Sequence, residues 1–144
     1  SILTGGRVGI AAQAVGLAQA ALDESLDYAT EREQFDRSIG DIQAIRHKLA
    51  EMQTTVQAGR LLAYDAAKAM DRGESARMAA SMAKCFATEG AMDVTNEAVQ
   101  IHGGYGYVES DVERFYRDAK VTTIYEGTTQ IQKTVIAREL LGER

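Results

Sequence analysis

A single acid stands in the stretch VTTIYEGTTQIQK, residues 121–133: Glu126, preceded by Ile124 and Tyr125 and followed by Gly127, Thr128 and Thr129. A glutamate is a candidate general base. Its ordinary pKa, about 4.3, is low for a base working near neutrality, and burial would raise it toward the useful range. Ile124 and Tyr125 are candidates for supplying that dry setting. Gly127, lacking a side chain, would let another group approach the backbone closely. On local pattern alone, the same acid also reads as a helix N-terminal residue favoured by the helix dipole.

Other groups with chemical potential are few. The lone Cys85 permits no internal disulfide and sits in a helical stretch, where it reads as a buried structural thiol. Neither His47 nor His102 has a glutamate three residues before it, so the Glu-x-x-His pairs of a di-iron bundle are missing and no metal is expected. His47 follows Arg46 and reads as a solvated helix residue, whereas His102 lies in QIHGGYGY, residues 100–107. Those glycines end a helix where the chain must turn or admit another group closely. They are not a Rossmann fingerprint, because the helix precedes them and no strand does. Either they form a C-cap and packed loop, or their amides meet a phosphate or a ring edge.

The elements that must position these residues are helices. Pro and Trp are absent, and 45% of the 144 residues are hydrophobic while 26% are charged, enough for one sizeable core that folds alone. A first helix carries Val8, Ala11, Val15, Ala18, Leu22, Leu26 and Ala29. A second carries Ile42, Ile45, Leu49, Met52, Val56, Gly59, Ala63, Ala66 and Met70, spaced alternately three and four. SIGD at 38–41 offers a capping box for its start and DRGE at 71–74 its stop. A third carries Met78, Met82, Cys85, Met92 and Val99. A fourth begins after the Glu126 motif, with Thr129 and Gln132 at capping-box spacing and Ile131, Val135, Ile136 and Leu140 as its apolar side. The expected fold is all-α, an antiparallel four-helix bundle of long helices without strands. A net charge of −5 gives nucleic acid no general reason to bind, and no apolar run is long enough for a membrane span or a secretory signal, so the cytoplasm is the expected location.

Six local patterns occur in one order: GGRVGIAAQAVG, EREQF, QAIRHKLAEM, QIHGGYGY, ERFYRDAK and IYEGTTQIQ. Together they closely resemble the C-terminal helical domain of the acyl-CoA dehydrogenase family, of the short- and medium-chain type, over nearly all of residues 1–144. RDAK followed by IYEGTTQIQ is the specific part; GG or REQF alone would be weak. The resemblance implies an FAD-dependent oxidoreductase of fatty acid β-oxidation that converts an acyl-CoA thioester to the trans-2-enoyl-CoA and passes electrons to an electron-transfer flavoprotein. It implies that Glu126 removes the α-proton and that Arg7, beside Gly6, lies near the catalytic carboxylate and the substrate. Thr4, Gly5, Gly6 and Gly127 join the substrate side. Some relatives carry their base at the position of Gly6, which cannot serve, and this strengthens the assignment to Glu126.

On the flavin side the resemblance implies Arg32 gripping pyrophosphate and Phe35 packing on the FAD of a neighbouring subunit, with Gln43 in the same group. Gln100, Ile101, His102, Gly103 and Gly104 correspond to the adenine-side loop, and Thr128, Thr129 and Gln130 to contacts after the base. Departures from the family pattern are Thr4 in place of a common aspartate, Asp36 where glycine is usual, and His102 in place of leucine. GYVESDVERFYRDAK, read as a loop, is one residue shorter and lacks the usual proline. The family's N-terminal helical and middle β domains lie outside this chain, so a domain of a longer enzyme, inactive in isolation, is expected. Self-association as a dimer or dimer of dimers follows from the resemblance. A bacterial or archaeal enzyme would be cytoplasmic, and a mitochondrial one would reach the matrix after loss of a targeting segment. Two other functions stay open: a helical oligomerisation module with idle catalytic residues, and an acyl-CoA oxidase, in which oxygen takes the electrons. The joint presence of Glu126, Arg7, Arg32 and the glutamine and glycine positions favours the dehydrogenase.

Overall fold

The computed structural model describes residues 1–143. Three long helices make up its body: α1 (Ile2–Glu31), α2 (Gln43–Asp71) and α3 (Arg77–His102). A single turn, α4 (Gly104–Tyr107), leads to α5 (Asp111–Thr122) and α6 (Thr129–Leu141). No helix among the described residues is long and apolar enough to cross a membrane.

Side-chain pairings fix the directions. A Cβ on Gly59 would touch Val15 and one on Gly5 would touch the tip of Met70, so α2 runs antiparallel to α1. Lys48 pairs with Glu97 and Gly90 faces Thr55, so α3 returns antiparallel to α2 and parallel to α1. Lys133–Glu89 and Arg77–Glu139 set α6 antiparallel to α3 along its first half. Lys84 meets Thr122, while Asn96 and Val99 share a groove with Glu113 and Tyr116, so α5 covers the later half of α3 in the same sense. The expected fourth leg is therefore present but broken. Its upper piece, α5, lies in what the sequence suggested was a loop, and Ser110 caps it by accepting from the Glu113 N–H.

The apolar stripe of α3 differs from expectation. Met78, Cys85, Met92 and Val99 are half-buried and Met82 is exposed, whereas Ala80, Ala83, Ala87, Ala91 and Ala98 form the buried face with Ser81, Thr88, Gly90, Val94, Thr95 and Ile101. Packed against α1, α2, α5 and α6, this helix needs small side chains so that its neighbours can approach on several sides. Thr88 and Thr95 satisfy their buried hydroxyls by donating to carbonyls one turn back. Leu26 and Met70, on the expected stripes of α1 and α2, are exposed.

The joints follow local chemistry. Gly73, at φ 71°, closes α2: the Glu74 N–H reaches the Ala69 carbonyl and the Gly73 N–H the Met70 carbonyl, a Schellman motif. Ser38 caps a short 3₁₀ turn, Ile39–Asp41, and α2 itself starts after Ile42 with no side-chain cap. Between α1 and that turn, Glu33–Gln34 (β1) and Arg37–Ser38 (β2) form a two-rung antiparallel hairpin, too short to show alternation in the sequence. Phe35 and Asp36 at its tip both have positive φ, 57° and 60°. Asp36 thus holds the left-handed conformation that glycine adopts most easily, and aspartate is among the residues that tolerate it.

Candidate active site

The break between α5 and α6 brings the chemistry together. Beyond Thr122 the Thr123, Ile124 and Tyr125 N–H groups still reach back to the carbonyls of Lys120 and Val121. Glu126 then turns left-handed at φ 55° and Gly127 at φ 92°. Thr128 caps α6, its hydroxyl accepting from the Ile131 N–H, so the cap lies one residue before the expected Thr129. The Thr129 N–H donates to the Thr123 carbonyl at 3.1 Å and closes the loop. No backbone carbonyl among the described residues accepts from the N–H groups of Glu126, Gly127 or Thr128. A left-handed glutamate between two helices is a strained position, costing about 1–2 kcal/mol, of the kind found where geometry serves function.

From this joint the Glu126 carboxylate lies against α1. A Cβ built on Gly6 would stand 2.5 Å from Glu126 Oε2, so the absence of a side chain at position 6 makes room for the acid. The Glu126 side chain is exposed on the surface of this chain. Ile124 is exposed as well, and Tyr125 is half-buried with its hydroxyl donating to Gln13 Oε1 at 2.7 Å, tying the joint to α1. Arg7, one position beyond Gly6, is buried; its Nη1 donates to Ser81 Oγ at 3.5 Å, and its Nε has no partner. Thr4 is buried and its hydroxyl pairs with that of Ser1, while Gly5 faces the end of α2.

Beneath the joint lie two residues that the sequence did not single out as site residues. Lys84 on α3 is fully buried, and its Nζ donates to the carbonyls of Gly127 at 2.5 Å and Thr122 at 3.1 Å. Gln132 on α6, also fully buried, donates its amide to the carbonyls of Gly127 at 3.0 Å and Glu126 at 3.4 Å, leaving its own Oε1 without a partner. Burial pushes the Lys84 ammonium below its ordinary pKa and the Arg7 guanidinium adds to this; the Cys85 thiol and the Glu126 carboxylate oppose it. The half-buried Cys85 thiol is pushed up, first by burial and then by Glu89, with Lys133 and Lys84 opposing. It stays protonated near neutrality, which fits an unreactive thiol.

A second cluster sits at the other end of α1. Tyr28, Arg32, Gln34, Ile39, Ile101, His102, Gly103, Gly104 and Tyr105 surround a hollow of about 560 Å³. The Tyr28 and His102 rings stack with centroids 4.3 Å apart, and His102 Nδ1 donates to the Ala98 carbonyl at 2.8 Å. The Arg32 guanidinium lies 5.9 Å from the centre of the Tyr105 ring. Gly103, at φ 63°, and Gly104 face open space where a Cβ would stand. Gln43 and Gln100 are exposed, and Ile101 is a core residue. Phe35, 82% exposed, projects from the hairpin tip rather than into its own chain. Thr128, Thr129 and Gln130 line a separate groove with Glu89, Asp93 and Lys120, in which the Thr129 side chain is itself buried.

The sequence model described as "Acyl-CoA dehydrogenase, C-terminal domain" matches residues 1–141. The chain is 55% identical over 140 residues to a 3-(aryl)acrylate reductase of Clostridium sporogenes, covering 96% of this chain and 37% of that protein. It is 53% identical over 138 residues to an acyl-CoA dehydrogenase of Bacillus subtilis, covering 95% and 36%. The structure of butyryl-CoA dehydrogenase from Megasphaera elsdenii superposes with a TM-score of 0.94 at 46% identity, over 96% of this chain and 37% of the other. The chain thus spans little more than a third of the length of these relatives.

Proposed function

The chain belongs to the acyl-CoA dehydrogenase family and matches its C-terminal domain, and from that premise we propose that it is the helical part of an FAD-dependent oxidoreductase acting on acyl-CoA thioesters. In this reading Glu126 is the base: the bond from the α-carbon to its hydrogen breaks, the proton passes to the Glu126 carboxylate, and the β-carbon gives up a hydride as the α,β double bond forms. FAD, when bound, supplies the acceptor for that hydride. The observation that carries the reading is the Glu126 carboxylate lying against side-chain-free Gly6 on a left-handed joint whose three N–H groups have no backbone partner. Those N–H groups suit a thioester carbonyl that gains negative charge as the proton leaves. Arg7 adds positive charge under the same wall. A relative named for reduction fits the same residues, since in that direction the Glu126 carboxyl would return a proton to the α-carbon.

The hollow beside the hairpin fits a dinucleotide. Tyr28 and His102 offer aromatic faces, Arg32 a guanidinium suited to pyrophosphate, and Gly103 and Gly104 an unobstructed backbone. Gln100 and Ile101 complete that loop, and Phe35 with Gln43 faces outward, as residues serving a neighbouring subunit's cofactor would. Thr128, Thr129 and Gln130 follow the base on the groove side. Thr4, Gly5 and Gly127 border the acyl-CoA. The N-terminal helical and middle β domains of a longer protein would complete both sites. An electron-transfer flavoprotein as acceptor, assembly as a dimer or dimer of dimers, and a cytoplasmic location complete the proposal.

The test is Glu126→Gln in the full-length flavoenzyme that contains this domain. The change keeps size and most hydrogen bonding but removes the basic oxygen. Flavin content should stay at the parent level while acyl-CoA-driven bleaching of the flavin slows by about 10⁴ or more, at or beyond the upper end for loss of a general base. Bleaching at the parent rate would place the base elsewhere.

A further inference from the structure

We infer that Lys84 is a positioning residue for the catalytic acid: clamped between the carbonyls of Thr122 and Gly127, its Nζ holds the left-handed joint that presents the Glu126 carboxylate over Gly6. The inference rests on the reading of Glu126 as the base.

A fully buried lysine is costly, because its amine leaves water and needs partners. Among the described residues no salt bridge involves Lys84, and its Nζ donates to two backbone carbonyls of the joint. A well-packed apolar side chain of similar volume would serve the core as well or better. What the amine supplies is therefore local to the break.

The break explains the need. In an uninterrupted helix the Thr122 carbonyl would accept from the Glu126 N–H four residues on, and the Gly127 carbonyl from the Ile131 N–H. Here the Glu126 N–H has no backbone partner, and the Ile131 N–H goes to the Thr128 hydroxyl. Both stranded carbonyls turn inward onto Lys84, and the Gly127 carbonyl also takes the Gln132 amide. With its carbonyl held by two donors, the Gly127–Thr128 peptide fixes the rotation of the joint at Gly127. Glu126 and Gly127, at φ 55° and 92°, are then kept from relaxing into ordinary helix. The neutral amine still carries two hydrogens, enough for both carbonyls, so the clamp does not depend on the charge of Lys84.

Removing the clamp should displace the acid while leaving intact the flavin hollow at the other end of α1, built by Tyr28, Arg32, His102, Gly103 and Gly104. In the full-length flavoenzyme, Lys84→Met fills the space but donates nothing, and Lys84→Gln is a shorter neutral donor. Butyryl-CoA or palmitoyl-CoA, whichever bleaches the parent flavin faster, is the probe, and Glu126→Gln runs alongside. A displacement of about 1 Å is worth about 100-fold in rate. The expected result is parent-level flavin content, acyl-CoA affinity within about 3-fold, and a bleaching rate constant at saturating acyl-CoA lower by about 100-fold for Lys84→Met and by less for Lys84→Gln. A purely structural lysine would lower the melting temperature and leave the rate per bound flavin unchanged. Parent-like rates in Lys84→Met beside an inactive Glu126→Gln would overturn the positioning role alone. Should Lys84→Met not retain flavin, Lys84→Gln decides by the same measurement, a parent-like rate again overturning the inference. Parent-like bleaching by Glu126→Gln would instead overturn the dehydrogenase reading.

Discussion

At the scale of single residues, the acid and the glycine opposite it form one device. A methyl on Gly6 would stand 2.5 Å from Glu126 Oε2, which is the far end of a flexible side chain, so the collision is relieved by moving the carboxylate and not the helix. Gly6→Ala should therefore leave stability unchanged or slightly higher, since alanine gains up to about 1 kcal/mol of helix propensity over glycine. Flavin bleaching in the full-length enzyme should slow by about 10- to 100-fold. A parent-like rate, or a large fall in melting temperature, would contradict this account. Glu126 and Arg7 stand out in the sequence as site candidates because they sit in recognisable motifs. Lys84 does not, since a lone lysine in a helical stretch reads as a solvated side chain. Its signal lay in its place among Ala80, Ala83 and Ala87, on a face with no other charge. Gln132 reads as part of a cap by its spacing, which hides a buried amide that serves the joint.

At the scale of elements, three-and-four spacing makes the long helices readable, and the two places where the fold departs from the sequence pattern share a cause. The large residues of α3 recur at the spacing of a core stripe yet lie half-buried or exposed, and ERFYRDAK, with few apolar residues and many charges, reads as loop yet is helix. In both cases closeness of approach, which depends on neighbours far away in the chain, decided the outcome. Gly90 shows how close that approach is: a Cβ there would lie 2.7 Å from Thr55 Cγ2 on α2. Overpacking of this kind costs about 1–3 kcal/mol, against about 1 kcal/mol gained in helix propensity. Gly90→Ala is expected to destabilise the domain by about 1 kcal/mol in urea unfolding, and adding Thr55→Ser, which removes the offending methyl, to restore it. A neutral or stabilising single change would show that α2 and α3 have slack.

At the scale of the molecule, the chain keeps much apolar surface outside. Leu61 and Tyr64 on α2, Phe35 at the hairpin tip, Tyr105 and Tyr107 near the glycine turn and Leu140 and Leu141 at the end of α6 are all more than half exposed. Such surface suits further chains or domains. Light scattering of the isolated chain at micromolar concentration should report self-association, and the purified chain should be colourless and bind FAD weakly. A strictly monomeric chain, or one that purifies yellow with stoichiometric flavin, would contradict the proposed assembly. The broken fourth leg also governs which changes in chain length the fold can absorb. Because α5 and α6 are seated separately on α3, the height of Glu126 in the bundle is set where Lys84 meets the joint, and not by counting residues from the top of the leg. A residue lost from the turn between α4 and α5, residues 108–110, would be taken up there and leave the acid over Gly6. The same loss inside α5 would turn every later residue by about 100° around the helix axis and swing the acid away. Length variation among sequences of this architecture should collect in that turn and avoid the twelve residues that follow it.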